Sequence, residues 1–219
     1  MPNHIKTQMK ILSDKKTSYE IFKKYSTEYP ARIIPTHEGI AISTEKLKPC
    51  FHFPDFNLVI PQPKNLSNDC IPATKIKELR KNGIPHWYDW NVEFWGTMWN
   101  CYTCEQINWN IFTFQTAWCY PELIFKKLSS LYPDVTFVTT YADEDWGYNC
   151  GTVTYKDGKI IKSNLPKPGS VEAIRLGDKI WNYDEKFKAE MKEEFEAKDY
   201  IHGAFSTSVL KYFEEENGS

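Results

Sequence analysis

The chain opens on an alternation. In "HIKTQMKIL", Ile5, Thr7, Met9 and Ile11 fall on one side and mostly polar residues on the other, the period-two pattern of a half-buried strand. Ser13 and Asp14 follow as N-cap candidates. "KKTSYEIFKKYSTEY" then has helical spacing, with Tyr19, Phe22, Tyr25 and Tyr29 toward one face, and Pro30 ends it. "ARIIPTHEGIAISTEKLKP" accommodates one or two short strands. "CFHFPDFNLVIPQP" is aromatic and β-branched, which predicts a strand over Phe56–Ile60 closed by Pro61 and Pro63. "KNLSNDC" reads as a loop, and "PATKIKELRKNG", bounded by proline and glycine, as a short helix. In "WYDWNVEFWG", Trp87, Trp90 and Phe94 share a helical face and Gly96 supplies the stop.

"MWNCYTC" and "NWNIFTFQTAWC" pair as strands joined near Glu105–Asn108. "PELIFKKLSSLYP" is a helix with Pro121 at its first position, a stripe of Leu123, Phe125, Leu128 and Leu131, and Pro133 beyond its end. "DVTFVTTYA" is a strand. "GYNCGTVTYKDGKIIKS" is a hairpin turning on Asp-Gly. "LPKPGS" reads as a linker, followed by a charged amphipathic helix in "NYDEKFKAEMKEEFEAKDY" and a closing helix with an acidic tail in "TSVLKYFEEENGS". The order strand–helix–strand, insertion, strand–helix–strand predicts an α+β protein. Its fold is a ferredoxin-like split β-α-β plait with a Trp-rich insertion and a C-terminal helical appendage. The division is a domain over 1–164, with the insertion at about 62–105, and an extension over 165–219.

Composition narrows the function classes. Lys and Arg total 27 against 29 Asp and Glu, a net charge of -2. That balance lacks the basic excess usual in nucleic-acid domains. Aromatic residues make up 16% of the chain, and rings of this kind dominate cores and interfaces. Four of the eight tryptophans lie in "HWYDWNVEFWGTMWNC". The opening "MPNHIKTQMKIL" lacks the apolar run of a secretory signal, and no segment approaches the roughly 20 apolar residues of a membrane span. A cytoplasmic protein with its six cysteines reduced is expected.

Several phrases carry a resemblance. "MPNH" opens straight into a strand, and "WYDWNVEFWGTMWN" precedes "FTFQTAWCYPELIFKKLSSLYPDVTFVTTYADEDWGYNCG". This resembles the YubB ferredoxin-like family of phage- and plasmid-encoded proteins of unknown activity. The likeness spans roughly residues 1–160 and is strongest from Trp87 to Gly151, leaving 165–219 outside it. It implies the same plait, a mobile-element origin and a bacterial host cytoplasm. It implies no catalytic residue.

Three constellations carry candidate chemistry. Trp90, Trp95 and Trp99, with Asn91, Thr97 and Asn100, flank the Gly96 turn and would form a ledge for a ring, base or partner side chain. The competing reading is a lid on the sheet, with buried indole N–H groups finding acceptors. "YADEDWGYNCG" gathers Asp143, Glu144 and Asp145, oxygen ligands for a hard cation or an acid–base pair; the alternative is a solvated turn. Asp143 and Glu144 join the candidate binding residues on this ground. "CYTC" gives Cys101 and Cys104 the spacing of half a zinc site, with Cys50 and His52 as a weak second half. Residues three apart on a flat strand point to opposite faces, and the pair does not open a helix that would stabilise a thiolate. Neither metal nor cofactor is therefore expected.

Pro2 would become a terminal secondary amine on removal of Met1, but lacks identifiable acid and base partners and reads as a strand anchor. Phe187, Met191 and Phe195 recur every four residues in the C-terminal helix and would dock it on the domain or on a second copy. No P-loop, HExxH, GxSxG or deaminase pattern is present. The expectation is a non-enzymatic mobile-element accessory protein that binds a host or defence-system protein, as an anti-defence inhibitor. Two alternatives accompany it. One is single-stranded nucleic-acid binding through sheet aromatics Phe112, Phe114, Phe137 and Tyr141. The other is an enzyme with a metal or small-molecule pocket.

Overall fold

The alternation at the start of the chain becomes a strand: Ile5, Thr7, Met9 and Ile11 are buried while His4, Lys6 and Gln8 stay partly exposed on the opposite face. The structure, a computed structural model, describes residues 2–29, 50–64, 66, 73–83, 86–197 and 203–217. The short strands expected within 31–49 and most of the "KNLSNDC" loop lie outside the described residues, as do the side chains of Cys50 and Phe195. The first half contains β1 (His4–Leu12), α1 (Lys15–Tyr25), β2 (Thr27–Tyr29), β3 (Cys50–His52), α2 (Phe56–Val59), α3 (Ala73–Lys81) and α4 (Trp87–Trp95). The second contains β4 (Tyr102–Asn108), β5 (Ile111–Ala117), α5 (Glu122–Leu131), β6 (Thr136–Asp143), β7 (Gly151–Lys156), β8 (Lys159–Asn164), α6 (Val171–Trp181), α7 (Glu185–Ala197) and α8 (Gly203–Asn217).

Six strands form one antiparallel sheet in the order β4-β5-β1-β6-β7-β8. β1 and β4 flank β5 and are joined through α1; β5 and β6 flank β1 and are joined through α5. Two interleaved β-α-β units of this kind are the ferredoxin-like plait, extended here at the β6 edge by the β7–β8 hairpin. That hairpin turns on Asp157 (φ 49°) and Gly158 (φ 71°), the doubly left-handed turn that the Asp-Gly pair predicts. All six residues of β8 are exposed, and its lysines discourage pairing with another edge.

The core lies between the sheet and α1 and α5. It joins Ile5, Met9 and Ile11 to Ile21 of α1, Phe125 and Leu128 of α5, and Phe112, Phe114, Phe137 and Tyr155 of the neighbouring strands. This placement removes the base-stacking role expected for the sheet aromatics. Phe112, Phe114 and Phe137 are 0% exposed and Tyr141 9%, all on the face covered by α1 and α5.

Several helical and strand expectations need correction. The buried stripe of α1 is Ser18, Ile21 and Tyr25; Tyr19, one residue off that line, is exposed, and Tyr29 belongs to β2. α5 buries Ile124, Phe125 and Leu128, leaving Leu123 and Leu131 of the expected stripe exposed. Phe56–Ile60 is not a sheet strand. Asp55 caps a single helical turn there by accepting from the Asn57 amide at 2.9 Å, and Phe56 and Val59 are buried three residues apart. The edge strand of the plait is β4 instead, so the connection between α1 and β4 runs from residue 26 to 101 rather than 62 to 105. The β4–β5 turn is also later than expected, at Trp109-Asn110, where the Asn110 amide donates to Asn108 Oδ1 at 3.0 Å.

The second face of the sheet takes α6, a helix that the sequence reading did not single out. Its Ser170 cap accepts from the Ala173 amide at 3.2 Å. Ala173 and Ile180 pack with Ala142 and Cys150. Trp181 Nε1 donates to the carbonyls of Ala142 and Asp143 at 3.2 and 2.8 Å. Trp146 then gathers the C-terminal helices, packing with Ile174, Val209, Tyr212 and Phe213, and with Phe187 and Met191 at its margin. No helix among the described residues is long and apolar enough to cross a membrane.

Candidate functional site

The Trp-rich segment is built from its caps inward. His86 caps α4 by accepting from the Tyr88 amide at 3.3 Å, and Gly96 ends it at φ 81°, a left-handed stop that favours glycine. Arg80 of α3 pairs with Asp89 of α4, and this hydrogen bond holds the Asp89 carboxyl below its ordinary range. Trp95 is 3% exposed, and its N–H donates to the Ile60 carbonyl at 2.9 Å. Its ring meets Phe56 edge-on at 5.8 Å. Trp90 is half-buried, stacked on Phe94 at 4.8 Å and edge-on to Trp95 at 5.7 Å.

The polar candidates in this segment bind the insertion to the plait. Asn91 donates to the Met98 carbonyl at 2.8 Å and accepts from Gln62. Thr97 is 1% exposed, and its hydroxyl donates to the Ala117 carbonyl at 2.7 Å, at the end of β5. Asn100 Oδ1 accepts from the amides of Phe56 and Cys101, both at 2.9 Å. Its Nδ2 donates to Asp55 at 2.8 Å. Trp90, Asn91, Trp95, Thr97 and Asn100 thus form one packed and hydrogen-bonded unit. Trp99 is 41% exposed, and Tyr88, Val92 and Phe94 of α4 are likewise exposed, at 38%, 45% and 40%. The three tryptophans do not make a common ledge: one is core, one is a half-buried support, and one faces solvent.

Asp143 and Glu144 sit where β6 ends. Asp143 is 6% exposed. It accepts from Asn3 Nδ2 at 3.3 Å, the Asp145 amide at 3.0 Å and Asn149 Nδ2 at 3.2 Å. Asp145 takes a second bond from Asn3 at 2.9 Å. Glu144 is held by its backbone, its amide donating to His4 O at 2.9 Å and its carbonyl accepting from the Tyr183 hydroxyl at 3.3 Å. These contacts tie the amino-terminal strand to the β6–β7 loop. Among the described residues no three of His, Cys, Asp or Glu are placed to share an ion. Beside the loop, His4 Nδ1 and the Tyr102 hydroxyl are 2.6 Å apart. Burial, aided by the charge of Glu144, pushes the Tyr102 hydroxyl up to about 12.

The "CYTC" pair also departs from expectation. Tyr102 pairs with Gln115 and Glu105 with Thr113, so β4 carries one extra residue, and Thr103 takes φ 50°. Such a bulge lets positions three apart share a face. Cys101 Sγ and Cys104 Sγ lie 3.4 Å apart. Cys101 is fully buried and its thiol donates to the Pro54 carbonyl at 3.2 Å; burial and then the neighbouring Cys104 push that thiol well up. His52 is half-buried and shifted down by that burial against the pull of Asp55. Cys50 offers no described side chain to complete a zinc set.

Sequence reasoning missed the partners Asn3 and Asn149, the His4–Tyr102 pair and the closeness of the two thiols. Asn3 and the His4–Tyr102 pair meet across strand ends far apart in sequence, Asn149 reaches Asp143 within one loop that carries no periodic pattern, and a bulge has no periodic signature.

The crystal structure of the protein Api92 from Yersinia pseudotuberculosis is similar to this chain at 15% identity and a TM-score of 0.38. The alignment covers 52% of this chain and 40% of that one, so this chain spans less than half the length of the protein it matches. No curated protein matches the sequence. Residues 98–197, from the turn after α4 through the whole remaining sheet to the end of α7, match the family model described as the ferredoxin-like domain in Api92-like protein.

Proposed function

We propose that this is a non-enzymatic accessory protein of a phage or plasmid, of the YubB type, acting in the bacterial host cytoplasm. It works by binding a host or defence-system protein, as an anti-defence inhibitor. The observation that carries this reading is the run of exposed apolar side chains on the α4 segment. Tyr88, Val92, Phe94 and Trp99 are each more than a third exposed within twelve residues, on a framework fixed by Trp95, Asn91 and Thr97. Scattered apolar residues on a surface are ordinary; large side chains concentrated on a rigid element are the usual makings of a recognition patch. The polar atoms of the segment are spent on internal hydrogen bonds, which suits a binding face better than a reacting one.

The test is capture from host lysate by the wild-type protein and by a Val92→Glu, Trp99→Ala variant, identified by mass spectrometry. A partner retained by the wild type and lost by a folded variant is the expected result. Equal recovery by both proteins, or no reproducible partner, would overturn the reading.

One observation favours a second reading, a single-stranded nucleic acid bound away from the buried sheet aromatics. Lys15, Lys16, Tyr19, Phe22, Gln106 and Trp109 line a groove of about 540 Å³ between α1 and the β4–β5 turn. Rings beside lysines suit a base and its phosphate. A mobility shift weakening steeply with salt would favour this reading over the first.

A further inference from the structure

We infer that Cys101 and Cys104 are a redox site: the two thiols form a reversible intramolecular disulfide by exchange with a low-molecular-weight disulfide of the glutathione type. The two sulfurs are 3.4 Å apart, against about 2.05 Å in a disulfide. The β4 bulge at Thr103 brings them to one side of the strand, so closing the gap asks for side-chain movement and leaves the register of the sheet alone. Their surroundings differ in a way that orders the reaction. Cys104 is only partly buried, while Cys101 is fully buried beneath the Phe53–Asp55 corner. A partly exposed thiol meets the small disulfide first; a buried neighbour within reach resolves the mixed disulfide.

The exchange balances. Cys104 loses its proton to solvent and its sulfur attacks one sulfur of RSSR. The S–S bond breaks, and one RS⁻ leaves and takes up a proton. Cys101 then loses its proton, attacks the Cys104 sulfur and displaces the second RS⁻, which is protonated in turn. Two S–H bonds and one S–S bond are consumed; one S–S bond and two RSH are formed. The protein is oxidised by two electrons and the small disulfide is reduced. The oxidised form also lacks the Cys101 proton now donated to the Pro54 carbonyl, so one contact between the residue leading into β4 and the Phe53–Asp55 corner depends on the thiol state.

The full chain is equilibrated across a series of reduced and oxidised glutathione ratios, alkylated and mapped by mass spectrometry. The exposed Cys119 serves as the control for reagent access. The expected result is a peptide carrying Cys101 and Cys104 that is two hydrogens lighter, closed to alkylation, and restored by reductant. A Cys101→Ser variant should instead hold glutathione on Cys104, since the resolving sulfur is gone. The inference is overturned if both sulfurs remain alkylatable at ratios that already modify Cys119. It is equally overturned if wild-type Cys104 stops at a stable glutathione adduct while Cys101 stays free, or if either sulfur pairs with a different cysteine.

Discussion

Trp95 and Trp99 lie one helical turn apart in sequence and do opposite things. Trp95 is 3% exposed and hydrogen-bonded to Ile60; Trp99 is 41% exposed. Truncating a buried ring removes its transfer energy and leaves a cavity. Trp95→Ala should therefore cost about 3–5 kcal/mol in chemical denaturation, whereas Trp99→Ala should stay within about 0.5 kcal/mol. Similar losses at both positions would contradict the division between anchor and surface. The sequence singled out both residues but could not rank them, because what buries Trp95 is Phe56 and the carbonyl of Ile60, 35 residues upstream.

Tyr102 gives a pH signature at the same scale. Burial, then Glu144, raises its hydroxyl to about 12 from the ordinary 10, so the folded state favours the neutral form. Its contribution is complete below pH 10 and is lost as pH rises from 10 toward 12. Stability measured across that window should fall less steeply in Tyr102→Phe than in the wild type. An unchanged slope would mean that the hydroxyl ionises alike in folded and unfolded chains.

Among the elements, legibility followed periodicity. β1, the β7–β8 hairpin and α4 with its Gly96 stop were readable because alternation, an Asp-Gly turn and a glycine cap are local signals. α2 was not, since a short apolar run suits a strand or one helical turn equally and only the Asp55 and Asn100 caps decide it. β4 hid its thiol pair behind an extra residue. α6 was overlooked although Ser170 and the small or apolar positions Ala173, Ile174, Gly177 and Ile180 mark it. Gly177 matters for what lies over it: a Cβ there would stand 2.8 Å from Cδ1 of the buried Trp146 ring. Gly177→Val should cost about 1–3 kcal/mol through overpacking, seen as a lower denaturation midpoint. A neutral result would show that the Trp146 ring can yield.

At the scale of the whole molecule, the plait was predictable in kind but wrong in one of its four strands, because an insertion long enough to contain its own helices separates α1 from β4. The same separation explains why the candidate residues divide into two groups. Those in the insertion pack against α5 and, through Thr97, the end of β5, while Asp143 and Glu144 lie two strands away at the end of β6, beside the start of β1. There, Asn3 reaches Asp143 and Asp145, and the next residue, Trp146, collects α6, α7 and α8. One short loop thus clasps the first residues of the chain and the last helices together. Replacing Asn3 with alanine would strip a donor from both Asp143 and Asp145, so a change ahead of the first strand would be felt in the loop on which the helices around Trp146 rest.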